Sequence, residues 1–323
     1  MGVGLLGQDD TEAYYRALKR PNTALLIGNG VNLANKETIS LSWQTLVSQL
    51  AIARGIHLSS EVLKNASLTE VADILSLSDE SKYQLRNDAI SLLQANAIHS
   101  PPIAKFAHEN GIPILTTNFD LNLVNNSLRF PTKKRRLDGN PNREKQVPSG
   151  WDIFRGGKQS EAFARNVTGL WNIHGSIDTK NAFLLTSANY MKAISSAHFL
   201  INKTGLFGKI NCDFGKCRGC KSCSWGGQTT WLDAFFHRNL VVVGFSFGKA
   251  ETFLRYLLLE RWKYLVHKYG NAELVPRSTF VTYSENSLEP DELFYFQNLG
   301  LEVIHLETEV HAFSNLPTLK EIE

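Results

Sequence analysis

Six short apolar runs, spread along most of the chain and separated by helical stretches, constrain the fold more than any other feature of the sequence. The runs are rich in β-branched residues, and several are followed at once by small or polar residues, as strands in a sheet often are. Alternation of such strands with helices predicts an α/β fold built on a parallel sheet of about six strands. The predicted strands span residues 24–27, 112–116, 168–173, 240–243, 279–283 and 301–305.

Helical patterns occupy the stretches between these strands. Apolar residues at 43, 46, 47, 50 and 51 lie on one face of a helix. The strongest helical pattern begins at Glu251 and places Phe253, Leu254, Leu257 and Leu258 on one side. The predicted helices span residues 43–54, 82–97, 103–109 and 251–269.

Two segments interrupt the alternation within what we predict to be a single domain over residues 1–323. Residues 44–105 form a long stretch with helical patterns between the first two strands, which predicts an inserted small helical subdomain or a lid. Residues 129–160 are polar and contain glycines and prolines, which predicts a long loop. This loop carries the basic run Lys133–Arg136, which is typical of a solvated surface, with a docking patch for nucleic acid or an acidic partner as the alternative.

Composition limits the classes of function. The chain has 323 residues, of which 43% are hydrophobic, so it can bury a substantial core. The 34 basic and 31 acidic residues leave a formal net charge of +3, too small to indicate a nucleic-acid-binding protein by bulk charge. No apolar run reaches the ~18–20 residues of a membrane helix, and the first residues lack the pattern of a secretory signal. We therefore expect a cytoplasmic protein without membrane contacts.

Four chemically distinctive segments each follow a predicted strand. The carboxyl ends of parallel strands are where ligands bind in α/β sheets, so these segments are candidates for one site. Each has a simpler interpretation, namely a tight turn for the glycines, a helix cap for Asn118 or Asp120, and an ordinary histidine for His174. The segments are Gly28–Asn32, Thr116–Asp120, His174–Ser176 and Gly244–Gly248.

All four cysteines of the chain lie within one short stretch, in the spacing C-x4-C-x2-C-x2-C. Four thiolates can complete a tetrahedral zinc shell, and Gly215 and Gly219 permit the tight turns that such a loop needs. An iron–sulfur cluster and four free thiols are the alternatives. We therefore predict a Cys-rich metal loop over residues 203–228, with structural Zn²⁺ bound by Cys212, Cys217, Cys220 and Cys223.

The order of these segments resembles the Sir2-like (sirtuin) family from about residue 24 to about residue 306. The most specific part is Thr116–Asp120 followed by His174-Gly175. The resemblance implies a Rossmann-like sheet with a small inserted domain and NAD⁺ bound between them. It implies that His174 is the catalytic base and that Asn118 and Asp120 face the nicotinamide ribose. The residues that it implies for binding the rest of NAD⁺ are Gly28, Gly30, Asn32, Thr117, Gly244, Ser246 and Ser284.

Two departures from protein deacylases favour water as the nucleophile. Where deacylases carry a Gly-Ile-Pro-Asp-Phe-Arg-like stretch, this chain reads Ala34-Asn35-Lys36-Glu37-Thr38-Ile39, and a Phe-Gly-Glu segment is missing between Cys223 and Val241. The chain is more similar to the bacterial Sir2-like NADases of antiviral defence. The resemblance therefore predicts an NAD⁺ glycohydrolase that depletes NAD⁺. The alternatives are an NAD-dependent deacylase or ADP-ribosyltransferase, and a sensor that binds NAD or ADP-ribose within a larger complex.

The chemistry of NAD⁺ cleavage is consistent with these residue types. The bond between nicotinamide and ribose breaks through an oxocarbenium-like state, which requires an oriented ribose and an activated water. An uncontrolled NADase would harm its own cell. We therefore expect control by homo-oligomerisation or by a separate activating protein, such as an ATPase or a nucleic-acid-guided protein, with nucleic acid involved only indirectly.

Overall fold

The structure is a computed structural model of the 323-residue chain. It describes residues 6–33, 41–79, 81, 83–95, 102–124, 132–134, 153–156, 168–178, 184–203, 206, 225–228, 230–245, 251–270, 275, 278–283 and 288–307.

The centre of the fold is one mixed β-sheet. Its strands, in chain order, are β1 (Thr23–Ile27), β2 (Ile114–Thr116), β3 (Thr132–Lys134), β4 (Ile153–Gly156), β5 (Gly169–Asn172), β6 (Asn239–Val243), β7 (Ser278–Tyr283) and β8 (Leu301–Leu306). They are arranged in the order β3-β4-β5-β2-β1-β6-β7-β8. The six strands from β5 to β8 in this arrangement are all parallel, whereas β3 and β4 are antiparallel additions at one edge.

The six parallel strands confirm the predicted α/β fold and its number of parallel strands. Numbered along the chain, they lie in the order 3-2-1-4-5-6, which is the strand order of the Rossmann fold. The order reverses between β1 and β6, whose last residues Ile27 and Val243 are register partners. In open α/β sheets a crevice forms outside the carboxyl ends of the strands at this reversal, which is called the switch point.

The segment predicted as a loop over residues 129–160 contains two strands, so that prediction was wrong in part. Lys133 and Lys134 lie in β3, where they pair with Phe154 and Ile153 of β4. Strands of three and four residues with a polar or glycine-containing sequence carry too little alternation of apolar and polar residues to be detected. Arg135 and Arg136 lie outside the described residues.

Helices flank the sheet and also cover one of its ends. They are α1 (Leu6–Lys19), α2 (Gly30–Leu33), α3 (Trp43–Ile52), α4 (Ser60–Asn65), α5 (Leu68–Ser76), α6 (Gln84–Ala95), α7 (Pro102–Glu109), α8 (Ser187–Lys203), α9 (Trp231–His237), α10 (Thr252–Tyr269) and α11 (Pro290–Asn298). A short 3-10 helix spans Asn122–Val124. Within the described part of the chain, no helix combines the length and the apolar character that crossing a lipid bilayer requires.

Strands β1, β6 and β7 are buried along almost their whole length, which explains why their sequences read as largely apolar runs. Alternate residues face opposite layers. Leu26 and Val242 pack in one core cluster with helices α8, α9 and α10, while Ile27 and Val243 pack in the other with α1 and α7. The two layers hold the carboxyl ends of the strands in fixed positions.

A third core cluster forms within the helical insertion. Helices α3, α5 and α6 bury residues such as Leu50 and Leu75 against one another. The same cluster includes Phe119 and Ile177, which follow the carboxyl ends of β2 and β5. The described helices from α3 to α6 therefore form a layer over that end of the sheet, and we call it the helical layer. Helix α7 packs on the sheet instead.

Two polar contacts stabilise the helical layer. Arg54 and Asp79 form an ion pair of 2.6 Å in which both side chains are almost fully buried. On α5, the carboxylate of Asp73 accepts hydrogen bonds from the backbone N–H and from the hydroxyl of Ser187, the first residue of α8. Asp73 therefore connects the helical layer to the helix that follows β5.

Candidate functional site

The switch point is occupied by backbone in direct contact. An added Cβ at Gly28 would lie 2.4 Å from the carbonyl oxygen of Gly244, and one at Gly30 would lie 2.8 Å from the Cα of Gly244. Gly244 itself has a φ of +70°, which side-chain-bearing residues rarely adopt. The three glycines are thus required by the close approach of the loops that follow β1 and β6.

The backbone amides of two of these glycines donate hydrogen bonds within the protein. Gly28 N–H donates to the carbonyl of Val243 across 2.9 Å, and Gly30 N–H donates to the carbonyl of Gly244 across 2.8 Å. The amides of Gly28 and Gly30, for which the resemblance implies contacts with a pyrophosphate, are therefore already engaged within the protein. The close approach of the backbone explains why both positions are glycine without any reference to a ligand.

Asn118 lies at the carboxyl end of β2, next to the switch point. Its side-chain N–H donates to the carbonyl of Gly28 across 3.2 Å, and its backbone N–H donates to the hydroxyl of Thr116 across 3.1 Å. The Asn118 side chain is buried, and its Oδ1 has no hydrogen-bond partner among the described residues. A buried acceptor left without a donor is destabilising, and such groups often mark a place where a ligand binds.

Asp120 and Asn32 form a buried polar pair beside Asn118. Asn32 Nδ2 donates to Asp120 Oδ2 across 2.8 Å, and Asp120 Oδ1 accepts the backbone N–H of Asn122 across 2.9 Å. Burial raises the pKa of Asp120 to about 6, although the hydrogen bonds from Asn122 and Asn32 oppose this shift. The hydrogen bond from the Asn122 backbone N–H is the capping contact that the sequence allowed for Asp120. It uses Oδ1, and the other carboxylate oxygen, Oδ2, accepts the hydrogen bond from Asn32.

His174 follows β5, which pairs with β2 in parallel register, so it lies at the same edge as Asn118. The ring is 2% exposed and packs among Phe119, Tyr190 and Phe253, with ring-centroid distances of 6.4, 5.2 and 5.8 Å. Burial lowers the pKa of His174 to about 3, so the imidazole is neutral near pH 7.

The two ring nitrogens of His174 differ in their surroundings. Nδ1 lies 3.3 Å from the hydroxyl of Tyr190 on α8. Nε2 is buried, and the described part of the chain offers it no hydrogen-bond partner. Nε2 is therefore the nitrogen of His174 that is left without a partner within the described residues.

A buried arginine supports the loops that carry these residues. Arg155 of β4 lies 2.6 Å from the carboxylate of Asp178 and donates to Asn172 Oδ1 and to the hydroxyl of Ser176, each across 3.4 Å. Asn172 in turn donates to the backbone carbonyl of Asn118 across 3.2 Å. The antiparallel edge of the sheet thus contributes to positioning Asn118.

Glu251 immediately precedes α10, the helix that follows the loop after β6. Burial raises the pKa of its carboxyl to about 7. Burial also raises the pKa of the Tyr190 hydroxyl, and the charge of Glu251 adds to that shift. Its Oε2 is buried without a hydrogen-bond partner in the described ranges. Sequence reasoning missed both Glu251 and Tyr190, because each enters the site by tertiary packing and neither belongs to a recognisable motif.

The segments that follow four of the parallel strands, β1, β2, β5 and β6, thus carry polar atoms that lack partners within the described residues. These atoms, each unpaired within the described part of the chain, are Asn32 Oδ1, Asn118 Oδ1, His174 Nε2 and Glu251 Oε2. The titratable groups of this set are the neutral imidazole of His174, the carboxyl of Asp120 with a pKa of about 6 and the carboxyl of Glu251 with a pKa of about 7. Such a set can hydrogen-bond hydroxyl groups and accept a proton.

The remaining predicted site residues have different outcomes. Thr117 is partly exposed, and its backbone N–H donates to the carbonyl of Ile27 across 3.3 Å. Ser246 and Ser284 lie outside the described residues, as do Cys212, Cys217, Cys220 and Cys223. Among the residues that the structure describes, no group of three or more His, Cys, Asp or Glu side chains is arranged to hold a metal ion. The Cys-rich metal loop stays a prediction.

Comparisons with known proteins add no identification to this geometry. No protein-family model matches the chain, and a search of curated proteins finds no significant match.

Proposed function

We propose that this protein is an NAD⁺ glycohydrolase that cleaves NAD⁺ to nicotinamide and ADP-ribose. The observation that supports the proposal most is the position of two buried, unpaired atoms. Asn118 Oδ1 and His174 Nε2, neither with a hydrogen-bond partner in the described residues, follow adjacent parallel strands beside the switch point of a 3-2-1-4-5-6 sheet. Dinucleotides bind at this position in sheets of this order.

In the proposed reaction, a water oxygen forms a bond to the anomeric carbon of the nicotinamide ribose. The bond to nicotinamide breaks, and its electron pair neutralises the positively charged pyridinium nitrogen. One proton leaves the attacking water. His174 is neutral and has an available Nε2, so it accepts this proton, directly or through a ribose hydroxyl.

Asn118 and Asp120 would act on the ribose. Asn118 Nδ2 is held by the carbonyl of Gly28, which leaves Oδ1 to accept a hydrogen bond from a ribose hydroxyl or from the water. With a pKa of about 6, Asp120 is ionised at neutral pH. Its negative charge would stabilise the positive charge that develops on the ribose in the transition state.

The proposal is tested by incubating the purified chain with NAD⁺ and separating the products by chromatography. We expect nicotinamide and ADP-ribose from the native chain. We expect Asn118→Ala and His174→Ala to retain the native circular dichroism spectrum and to release nicotinamide at least about 100-fold more slowly. Equal rates in both variants and the native chain would contradict the proposal.

The resemblance to the Sir2-like NADases extends the proposal to the rest of the chain. We propose that Cys212, Cys217, Cys220 and Cys223 bind structural Zn²⁺, and that NAD⁺ depletion serves bacterial antiviral defence under the control of self-association or a separate protein. Metal analysis returning neither zinc nor iron would contradict the first part. The same specific activity in isolated monomers and in every assembly would contradict control by association.

A further inference from the structure

Two asparagines that follow β1 form a chain of hydrogen bonds that ends on the carboxylate of Asp120. Asn29 Nδ2 donates to the backbone carbonyl of Leu41 across 2.9 Å, and Asn29 Oδ1 accepts a hydrogen bond from Asn32 Nδ2 across 2.9 Å. Asn32 Nδ2 also donates to Asp120 Oδ2 across 2.8 Å. We call these three consecutive bonds the amide relay.

The groups at the two ends of the amide relay fix the orientation of both amides. A backbone carbonyl and an ionised carboxylate can only accept hydrogen bonds. The Leu41 carbonyl therefore requires the N–H side of the Asn29 amide, which turns Asn29 Oδ1 toward Asn32. Asn32 then directs its two N–H hydrogens at Asn29 Oδ1 and Asp120 Oδ2. Turning either amide over would place two acceptors against each other.

The amide relay reaches Asp120 in surroundings that largely exclude water. Asn32 is 0% exposed and Asp120 is 9% exposed. Each carboxylate oxygen of Asp120 has its own donor, because Oδ1 accepts the backbone N–H of Asn122 and Oδ2 accepts the relay. Hydrogen bonds to a charged acceptor are strong, and more so in the protein interior. The bond from Asn32 therefore orients the carboxylate, and it also opposes the rise in the pKa of Asp120 to about 6 that burial causes.

The other end of the amide relay lies at the start of the helical layer. The side chain of Leu41 is buried in the core cluster that helices α3, α5 and α6 share. The next residue, Ser42, caps α3 by accepting the backbone N–H of Thr45 on its hydroxyl across 3.0 Å. The carbonyl that orients Asn29 is therefore held by the packing of the helical layer and not by the sheet.

We propose that Asn29 is a positioning residue that acts through Asn32 to orient the Asp120 carboxylate, and that the helical layer must be in place for it to do so. A displaced Leu41 carbonyl leaves the Asn29 amide without its acceptor. Asn32 is then free to rotate, and Asp120 loses a donor. The inference deepens the proposed function and rests on it only in its kinetic consequence, since the hydrogen bonds belong to the protein without substrate.

The test uses Asn29→Ala, Asn32→Ala and the double variant in the full chain. Asn29→Ala removes the bond to Leu41 and the acceptor for Asn32, whereas Asn32→Ala removes the donor to Asp120. The matched control is Asn239→Ala, because Asn239 Nδ2 also donates to a backbone carbonyl across 2.9 Å, at the first residue of β6. Circular dichroism and thermal unfolding establish that each variant is folded. If Asn32→Ala does not fold, Asn32→Leu replaces it, since leucine fills the space and cannot donate.

The first measurement is the pKa of Asp120, from NMR of the side-chain carboxyl carbon without NAD⁺. The signal is identified by its absence in Asp120→Asn. We expect a pKa of about 6 in the native chain and the same value in Asn239→Ala. We expect a higher pKa in Asn32→Ala, because a donor to the charged form is lost, and a smaller rise in Asn29→Ala. The same pKa in the native chain and in Asn29→Ala would overturn the inference.

The second measurement is the rate of NAD⁺ cleavage. We expect kcat to fall by about 10-fold in Asn29→Ala and by about 100-fold in Asn32→Ala, with little change in KM, because the carboxylate acts on the transition state. If Asn29 acts through Asn32, the double variant is no slower than Asn32→Ala alone. Losses that multiply in the double variant would show that Asn29 acts independently and would overturn the inference. Asn239→Ala should retain the native kcat.

The two measurements separate this inference from the proposed function. If the native chain does not cleave NAD⁺, the proposed function fails, while the carboxyl titrations still decide whether Asn29 acts on Asp120. If Asn118→Ala abolishes cleavage but Asn29→Ala has the native kcat and the native pKa of Asp120, the proposed function stands and the positioning role of Asn29 fails.

Discussion

The side-chain N–H of Asn118 donates a hydrogen bond to the backbone carbonyl of Gly28 across 3.2 Å, so the loop after β2 is attached to the loop after β1. This contact determines which end of the Asn118 amide is available. Because Nδ2 is engaged, Oδ1 is the atom left to meet a ligand. The position of the amide in the site is therefore a consequence of backbone geometry at the switch point.

Asn118→Asp should abolish activity by disturbing this contact. A carboxylate in place of the amide would put an oxygen against the Gly28 carbonyl oxygen, and two acceptors repel each other. We expect NAD⁺ cleavage to fall by about 100-fold or more. The matched control is Asn110→Asp, because Asn110 Nδ2 also donates to a backbone carbonyl, that of Phe106, across 2.8 Å. Comparable losses in both variants would contradict the specific role of Asn118.

Gly28→Ala should destabilise the protein through a backbone collision. The added Cβ would lie 2.4 Å from the carbonyl oxygen of Gly244, so one of the two loops must move. We expect a loss of about 2 kcal/mol or more in the free energy of unfolding. Gly270→Ala is the control, because Gly270 has a φ of +67° but open space around it, and its cost should be near ~1 kcal/mol. Urea unfolding of both variants measures whether Gly28→Ala loses more unfolding free energy than Gly270→Ala. Equal losses in the two variants would contradict the prediction.

Arg155→Met should reduce stability and activity together. The substitution removes the ion pair with Asp178 and the donor to Asn172, whose own amide holds the backbone of Asn118. We expect a loss of about 2–4 kcal/mol in the free energy of unfolding. Arg20→Met is the control, since its ion pair with Glu302 has the same 2.6 Å distance but is partly exposed, and its cost should stay within ~1 kcal/mol. An equal cost for both would show that burial of Arg155 does not matter.

Glu251→Gln should stabilise the protein at alkaline pH. The folded carboxyl has a pKa of about 7 and the unfolded one about 4.5, so the folded state binds the proton more tightly. The stability of the native chain therefore falls as the pH rises from about 4.5 to about 7, and glutamine removes this loss. Because Glu251 as a whole residue is half-buried, although its Oε2 is buried, we expect a gain of only about 2 kcal/mol above pH ~8, declining toward zero below pH ~5.

Urea unfolding of the native chain and Glu251→Gln across this pH range checks the prediction. Glu12→Gln, in a side chain that is 59% exposed, serves as the control for a surface carboxylate. A gain from Glu251→Gln that is independent of pH would mean that the pKa of Glu251 is not raised by folding.

Asp73→Ala should loosen the attachment of the helical layer to α8. The substitution leaves the Ser187 backbone N–H without its carboxylate acceptor at the start of that helix. We expect a loss of about 1 kcal/mol and faster proteolysis within residues 43–95. Glu70→Ala, an exposed change on the same helix α5, should leave both properties unchanged. Proteolysis at native rates in Asp73→Ala would contradict the attachment.

The parallel sheet was predictable from the sequence because most of its strands are buried along almost their whole length. Such strands are apolar along their whole length, so β1 and β6 stand out even though neither shows the period-two alternation of a half-exposed strand. The edge strands β3 and β4 were missed because they are short and their residues are not uniformly apolar. Helix α8 was missed because its sequence mixes polar and apolar residues without a clear stripe.

The candidate site was predictable only where its residues directly follow strands. Asn118 and His174 could be found because the end of a strand is a position that sequence reveals. Tyr190 lies in helix α8 and Phe253 in helix α10, and their contacts with His174 depend on how these two helices pack on the sheet. Arg155 comes from a strand that the sequence did not reveal. Long-range packing of this kind has no local signature.

The contact of Gly28 with Gly244 has a mechanical consequence. The loops after β1 and β6 meet there through the backbone, since Gly30 N–H donates to the carbonyl of Gly244 across 2.8 Å, and the base of the crevice is therefore held by main-chain contacts. Beside it, Trp43 of the helical layer packs on Phe119, with ring centroids 5.6 Å apart. Phe119 in turn packs on the ring of His174, with centroids 6.4 Å apart, so tilting of α3 would be transmitted through Phe119 to the imidazole.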